Sequence, residues 1–298
     1  MLALAPWPQS SMRSAVHSTL IPFETTVPAD YHTHTPLCRH AAGDPQAYVD
    51  AAVRAGVTEY GISDHAPMLP EPFDDWRMLD EEMPAYCHWI ERARAHAAGR
   101  LAVRAGLECD WLSGCEPWIG QLASRYEWDY LIGSVHYLRD AALGAWDFDN
   151  PKWLGRWAAE DVENVWAKYW MAYVVMAESG LFDILGHPDL VKKFGHHPAG
   201  DLDRFYEPVI DAVAASGCVI ELNTAGWQKP CAECYPAPRF LELACSAGIP
   251  LVISSDAHAP DQVGRDFAQA ITVARLAGYA ETVLFNKRQR LTESLASA

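Results

Sequence analysis

The amino-acid sequence predicts an α/β protein whose strands form a distorted (β/α)7, TIM-like barrel. Seven short apolar segments recur along the chain, segments with helical patterns lie between them, and each apolar segment ends in reactive side chains. Regular alternation of strands and helices indicates parallel strands joined by right-handed crossovers. An open sheet would concentrate its ligands at one switch point, so reactive groups at every strand end favour a barrel.

The seven predicted strands cover residues 29–34, 57–65, 101–111, 128–138, 182–190, 217–226 and 249–258. An eighth could lie at 281–285, but it carries no ligand type. Of the intervening segments, 44–56 has the clearest helix signals: Asp44 as N-cap, Pro45 at the first helical position and Gly56 after the end. The segments 201–217 and 236–248 follow the same pattern.

The chain length and composition suit one large domain. The 298 residues are 50% hydrophobic, which is enough for a sizeable core. Residues 1–26 look irregular and lack the basic start and apolar run of a signal peptide, so we interpret them as an N-terminal extension. Met12 is an alternative start. Residues 27–298 are predicted to form a single barrel domain.

The net charge and the cysteines indicate which classes of binding partner and which cellular compartment to expect. The formal net charge of −16 argues against nucleic acid as the main partner, although a small anionic substrate needs only a few local cations. No apolar run is long enough for a membrane span. Eight cysteines in a long chain without an export signal favour reduced thiols in the cytoplasm. Cys231 and Cys234 form a lone CxxC, for which ordinary loop cysteines are favoured over a structural zinc site.

The strand ends predict a metal centre. His32 and His34 are two residues apart on a strand, so both rings project to the same face. Asp256 and His258 repeat this spacing on the last strand. Glu108 ends an apolar stretch, where an isolated buried carboxylate would be costly unless it bridged cations. Further strand ends carry ligand types at Asp64, His65, His136, His187, Asp189 and Asn223.

Several motifs together resemble one known superfamily. They are DYHTH at 30–34, His40, SDH at 63–65, Glu108, GSVH at 133–136, GH at 186–187 and DAH at 256–258. In this order they resemble the polymerase-and-histidinol-phosphatase (PHP) superfamily. Longer phrases such as DILGHPDLVKKFG and WDYLIGSVHYL are similar to its histidinol-phosphate phosphatases. The resemblance covers residues 27 to 290 and implies a distorted (β/α)7 barrel with three divalent metals.

The resemblance also implies which residues hold each metal. The first metal would take His32, His34, Glu108 and Asp256; the second would share Glu108 and add His136 and His187; the third would take His40, His65 and His258. Nitrogen and oxygen ligands suit zinc, manganese or iron. Asp30 is expected to orient a ligand histidine through its second nitrogen. Asp64 could do the same or act catalytically in proton transfer.

The implied reaction is hydrolysis of L-histidinol phosphate, a small phosphorylated amino alcohol of histidine biosynthesis. A hydroxide bridging two metals would attack the phosphorus. Candidate substrate-binding cations are Arg39, Lys192 and Lys229, with Lys193 as a further one. Glu116, Asp147 and Asp149 could meet the substrate ammonium. The stretches 71–82 and 146–157 could form the pocket rim.

Two alternatives remain open at this point. The superfamily also contains polymerase-associated nucleases and phosphoesterases that act on other substrates, but the acidic charge and the absence of a basic domain argue against a nuclease. A metal-binding regulatory protein without turnover is the other alternative, and the complete ligand set argues against it. The oligomeric state cannot be read from the sequence.

Overall fold

The computed structural model describes residues 27–141 and 144–295, and the predicted extension at 1–26, with Met12, lies outside this part of the chain. The predicted α/β class is confirmed. The strands are β1 Glu59–Ile62, β2 Ala102–Ala105, β3 Glu108–Asp110, β4 Ile132–Ser134, β5 Tyr137–Asp140, β6 Gly144–Asp147, β7 Ile184–Leu185, β8 Val219–Asn223, β9 Leu251–Ser254, β10 Glu281–Asn286 and β11 Gln289–Ser294. The α-helices are α1 Pro45–Ala55, α2 Met83–Ala97, α3 Glu116–Ser124, α4 Leu154–Trp157, α5 Val162–Glu178, α6 Asp203–Ser216, α7 Pro238–Ser246 and α8 Phe267–Leu276.

Parallel pairing links the seven predicted strand segments. Five strands form one sheet in the order β3-β4-β7-β8-β9, and β1 pairs with β2. The first predicted segment, 29–34, contributes isolated parallel bridges: Asp30 pairs with Tyr60 and Thr33 pairs with Ala257. A further parallel bridge joins His65 to Glu108. The first segment therefore contacts both the second and the last predicted strand segments.

The C-terminal pair of strands differs from the rest. β10 pairs antiparallel with β11 in a two-stranded sheet of its own. The segment 281–285, which we considered as an eighth strand, therefore belongs to a hairpin. A second antiparallel pair, β5 and β6, follows β4 and carries part of the predicted rim.

Local sequence signals explain the helix ends. The Asp44 side chain accepts a hydrogen bond from the Ala47 amide at 2.8 Å, and Pro45 occupies the first helical position of α1. Gly56 closes the helix with φ of 74°, a conformation that favours glycine. The predicted helical segments 201–217 and 236–248 correspond to α6 and α7. In the described part of the chain, no helix is both long and apolar enough to cross a membrane.

Candidate metal centre

The structure brings the nine predicted metal ligands together at one end of the strands, where a cavity of about 690 Å³ opens. His32 and His34 are fully buried beneath the cavity floor. Seven of the nine ligands line the cavity itself: His40, His65, Glu108, His136, His187, Asp256 and His258. Both predicted rim stretches contribute to its wall, through Asp75 and Trp76 and through residues 147 and 149–152.

Glu108 lies at the centre of the cluster and is fully buried. Its Oε2 is 3.3 Å from His32 Nε2 and 2.7 Å from His65 Nδ1. Its Oε1 is 3.0 Å from His187 Nε2 and 3.7 Å from His136 Nε2. The Oε2 atom is also 3.8 Å from His34 Nε2. One carboxylate thus faces five imidazoles with both oxygens, which is the geometry that a bridging ligand requires.

Asp256 forms a second point of convergence. Its Oδ1 is 3.0 Å from His34 Nε2 and 3.9 Å from His32 Nε2. Asp256 has φ of 54° and His187 has φ of 25°, both in the left-handed region that non-glycine residues rarely adopt. Such strain persists only where the surrounding structure enforces it, and it is concentrated at functional sites.

The remaining imidazoles, those of His40, His65 and His258, cluster beside the His34 ring. The His258 ring stacks on His34 with centroids 4.0 Å apart and lies 4.6 Å from the His40 ring. The His40 and His65 rings are 5.5 Å apart. Three triads present ligand atoms within 4.8 Å of one another: His34, His65 and His258; His32, Glu108 and His187; and His32, His34 and Asp256. Cys38, which the sequence reasoning did not select, forms a similar triad with His40 and His258.

Several ligand atoms lack hydrogen bonds although they are buried. Among the described residues, His32 Nε2, His65 Nδ1, Glu108 Oε2 and His258 Nε2 make no hydrogen bond of suitable geometry, although His65 Nδ1 and Glu108 Oε2 are only 2.7 Å apart. A buried polar atom without a partner is costly, and coordination to a cation removes that cost. This donor set of imidazoles and carboxylates therefore fits divalent metal ions.

Electrostatics within the cluster follow from burial and from the alternation of acids and imidazoles. Burial alone would raise the pKa of Glu108, but His32, His65 and His136 lower it well below its usual range. Burial alone would lower the pKa of His136, but Asp110 and Glu108 raise it to about 10. The pKa of His34 rises to about 9 for the same kind of reason, through Asp256 and Asp64.

Three buried carboxylates hold the far nitrogen of a ligand histidine. Glu221 lies 2.8 Å from His32 Nδ1 and Asp110 lies 2.7 Å from His136 Nδ1. Asp64 lies 3.3 Å from His34 Nδ1. Such contacts fix the ring orientation and leave Nε2 for a metal. Sequence reasoning missed Glu221 and Asp110, although a glutamate inside the apolar GCVIELN stretch and an acid two residues after Glu108 were usable signals.

The structure corrects the role predicted for Asp30 and favours one of the two roles considered for Asp64, the orientation of a ligand histidine. The Asp30 carboxylate accepts hydrogen bonds from the Ser255 amide and hydroxyl and from the Gly264 amide, so it anchors backbone and does not orient a histidine. Asp64 is fully buried behind His34 and also accepts a hydrogen bond from the Thr35 hydroxyl. Asp64 does not line the cavity, and its contact with His34 Nδ1 matches the positioning role.

The predicted substrate-binding cations separate into two kinds. Lys192 is fully buried, and its ammonium lies 2.9 Å from Asp189 and 2.5 Å from Glu233, so its prediction as a substrate contact is wrong. Arg39 and Lys229 do line the cavity. The Arg39 guanidinium also pairs with Glu82 at 2.5 Å. The outcome for Lys192 follows from its turn, which directs its side chain into the core.

Two of the three predicted ammonium-binding acids face the cavity. Asp147 and Asp149 line it, and Lys193 pairs with Asp149 at 2.8 Å. Burial and the neighbouring Asp149 raise the pKa of Asp147 to about 7. Lys193 overcomes the effect of burial and lowers the pKa of Asp149 to about 2. Glu116, in contrast, begins α3 and lies at a separate surface groove beside Trp111.

All eight cysteines are free thiols. Cys231 Sγ contacts the carbonyl oxygens of Gly226 and Glu233, and Cys234 Sγ lies 3.2 Å from the Pro236 carbonyl oxygen. These contacts match those of ordinary loop cysteines, the interpretation that the sequence favours.

Comparison with known proteins agrees with this geometry. The model of the family described as PHP domain matches residues 30–225. The chain belongs to the PHP domain family. The resemblance found in the sequence motifs is thereby confirmed. The matched range includes seven of the nine predicted ligands and ends before Asp256 and His258, which the structure adds to the same cluster.

Curated relatives and solved structures extend over most of the chain. A protein of Deinococcus radiodurans named probable histidinol-phosphatase is 44% identical over 262 residues, which cover 87% of this chain and 97% of that protein. The histidinol-phosphatase of Bacillus subtilis is 29% identical over 254 residues, 79% of this chain and 95% of that one. The fold is similar to that of the Lactococcus lactis histidinol phosphate phosphatase complexed with zinc, L-histidinol and phosphate, with a TM-score of 0.72, 20% identity and coverage of 88% and 98%.

Proposed function

We propose that this protein is a metal-dependent phosphomonoesterase that hydrolyses L-histidinol phosphate to L-histidinol and phosphate. The observation that carries the proposal is the buried cluster around Glu108, in which one carboxylate faces five imidazoles beneath an open cavity. The names of the relatives from Deinococcus radiodurans and Bacillus subtilis support the substrate. We further propose that residues 27–298 form one domain and that the ring of strand pairings is a distorted (β/α)7 barrel.

The cluster would hold three divalent ions. Their ligands would be His32, His34, Glu108 and Asp256 for the first, Glu108, His136 and His187 for the second, and His40, His65 and His258 for the third. When bound, such ions lower the pKa of water and neutralise charge on phosphoryl oxygens. The protein's part is to fix the rings: Glu221, Asp110 and Asp64 hold three of them from behind.

The cavity wall would bind the two ends of the substrate. Arg39 and Lys229 offer positive charge for the phosphoryl group. Asp147 and Asp149 offer negative charge for an ammonium or a protonated imidazole. A cavity with both kinds of charge suits a small amino-alcohol phosphate better than a nucleic-acid backbone, which needs a continuous positive surface.

Steady-state assays on purified, metal-replete protein test the proposal. We expect kcat/KM for L-histidinol phosphate to exceed that for p-nitrophenyl phosphate by about a hundred-fold, because the poorer substrate lacks the ammonium and imidazole that the acids of the cavity would bind. Equal efficiency on both would reject the substrate and retain a phosphomonoesterase. Hydrolysis of single-stranded DNA in place of both would favour the nuclease alternative, and metal binding without any turnover would favour a regulatory protein.

A further inference from the structure

The loop that follows β9 is fixed to the body of the protein by buried and partly buried hydrogen bonds. The Gly264 amide donates to Asp30 Oδ2 at 2.9 Å, and the Ser255 amide donates to Asp30 Oδ1 at 3.0 Å. At the far end, the Thr224 hydroxyl donates to the Arg265 carbonyl oxygen at 2.8 Å. The backbone of Arg265 is therefore anchored on both sides, and its side chain starts from a defined position.

That side chain enters the cavity without a hydrogen-bonded acid. Arg265 lines the cavity together with Asp256 and His258, and its Nε is buried without a hydrogen-bond partner among the described residues. Its ion-pair partner, Asp266, has its Oδ2 3.9 Å from Nε, too far for a hydrogen bond. The same oxygen accepts a hydrogen bond from Gln228 Nε2 at 3.0 Å. The guanidinium thus retains donors for a ligand.

Arg265 differs in this respect from three other cations of the cavity, each of which has an acid at hydrogen-bonding distance. Arg39 pairs with Glu82, Lys152 with Asp75 and Lys193 with Asp149.

Lys229 is the second cavity cation without a hydrogen-bonded acid. Within residues 27–141 and 144–295, its ammonium has no acid at ion-pair distance. Partial removal from water and the charge of Lys193 lower the pKa of Lys229, and Arg265 contributes in the same direction. Two cations of one cavity that lack hydrogen-bonded acids repel each other unless an anion binds between them.

We propose that Arg265 is a specificity-determining residue that binds the phosphoryl group of the substrate, together with Lys229. The inference rests on the proposed phosphomonoesterase function and names a contact that the sequence reasoning did not select. A planar guanidinium can donate two parallel hydrogen bonds to phosphate oxygens, whereas an ammonium acts as a point charge. Arg265 would therefore contribute orientation as well as charge.

Product inhibition separates this role from a general structural one. We would compare wild type with Arg265→Met, Arg265→Lys and the control Arg54→Met, which removes an exposed arginine of α1 outside the cavity. The measured quantities are kcat/KM, metal content, and the inhibition constants of inorganic phosphate and of L-histidinol. A charge-assisted hydrogen bond predicts a ten- to hundred-fold loss of kcat/KM in Arg265→Met.

The decisive result is a split between the two inhibitors. We expect the inhibition constant of phosphate to rise about ten-fold or more in Arg265→Met and less in Arg265→Lys, while that of L-histidinol and the metal content stay at wild-type values. An unchanged phosphate constant, or an equal rise for both inhibitors, would overturn the role of Arg265. If wild type hydrolyses p-nitrophenyl phosphate and not L-histidinol phosphate, the proposed substrate fails, and the phosphate measurement still decides the role of Arg265.

Discussion

Lys192 and His187 are close in the chain but belong to two groups of ionisable side chains whose charges are paired in different ways. The Lys192 ammonium is enclosed by Asp189 and Glu233 at hydrogen-bonding distance. In the metal centre, imidazole faces imidazole, as His34 and His258 do at 4.0 Å, and buried ligand atoms such as His258 Nε2 lack hydrogen bonds. Both regions are buried and ionisable, so neither burial nor charge distinguishes a binding site from the scaffold.

The difference is whether the charges have partners within the protein. The Lys192 ammonium finds its counter-charges within the protein, at Asp189 and Glu233, and this pairing should support folding. The cluster around Glu108 contains buried polar atoms without hydrogen bonds, which bound cations would satisfy. The same criterion separates Lys229 and Arg265 from the paired cations of the cavity. Substitutions in the two regions should therefore affect different properties.

The largest effect is expected for Glu108→Gln. This change removes the charge that two metals would share, so turnover should fall by about a thousand-fold or more and the bound metal should decrease. Assays combined with elemental analysis measure both, and circular dichroism checks that the variant is folded. Near-wild-type turnover with a full metal complement would remove Glu108 from the centre.

Lys192→Met should damage folding and leave the metal centre intact. It leaves Asp189 buried beside no cation, which costs about 3 kcal/mol in the free energy of unfolding. Urea denaturation measures the loss, and metal content per folded chain should not change. Lys152→Met, which removes an exposed ion pair with Asp75, is the control and should leave the free energy of unfolding nearly unchanged. Loss of metal without loss of stability would show that Lys192 belongs to the site.

Glu221→Gln tests the support behind the cluster. The amide can still contact His32 Nδ1 but no longer supplies a negative charge, so metal affinity should fall about ten- to a hundred-fold. Competition with a chromophoric chelator measures the affinity. An unchanged affinity would mean that Glu221 has only a structural role in β8 and does not support the metal ligands.

The smallest effect is expected for the paired change of Cys231 and Cys234 to serine. The proposed ligand set is complete without these thiols, so turnover should stay within a few-fold of wild type. A loss as large as that of Glu108→Gln would reveal an additional metal site or a redox function in this loop.

Sequence pattern predicted the elements that depend on local signals. These elements are the alternation of strands and helices, the capping residues of α1 and the reactive residues at the strand ends. Glu221 was readable in principle, since it shares a strand face with Asn223, two residues on. The family motifs then grouped the ligands, which spacing alone could not do.

Other features depend on contacts between distant parts of the chain. Asp30 meets Ser255 across 225 positions, so its anchoring role had no local signature. Lys192 and Lys193 are adjacent, yet one points into the core and the other into the cavity. That outcome depends on the turn at Asp189, which has φ of 78°, and nothing in the sequence around it predicts that conformation. Arg265 was overlooked because its place in the cavity depends on hydrogen bonds from its loop to the distant residues Asp30 and Thr224.

Calorimetric titration of zinc into chelator-treated protein, in two buffers of different ionisation enthalpy at pH 7, tests the central claim most directly. In the metal-free protein, the pKa values of His34 and His136 are raised to about 9 and about 10, so both rings carry protons at pH 7. Metal binding requires neutral imidazoles and must release these protons, and acidification must weaken it. We predict more than one zinc ion per chain, a buffer-dependent enthalpy and weaker binding at pH 6 than at pH 8. Absence of zinc binding, or an enthalpy that is the same in both buffers, would contradict a metal centre at these strand ends.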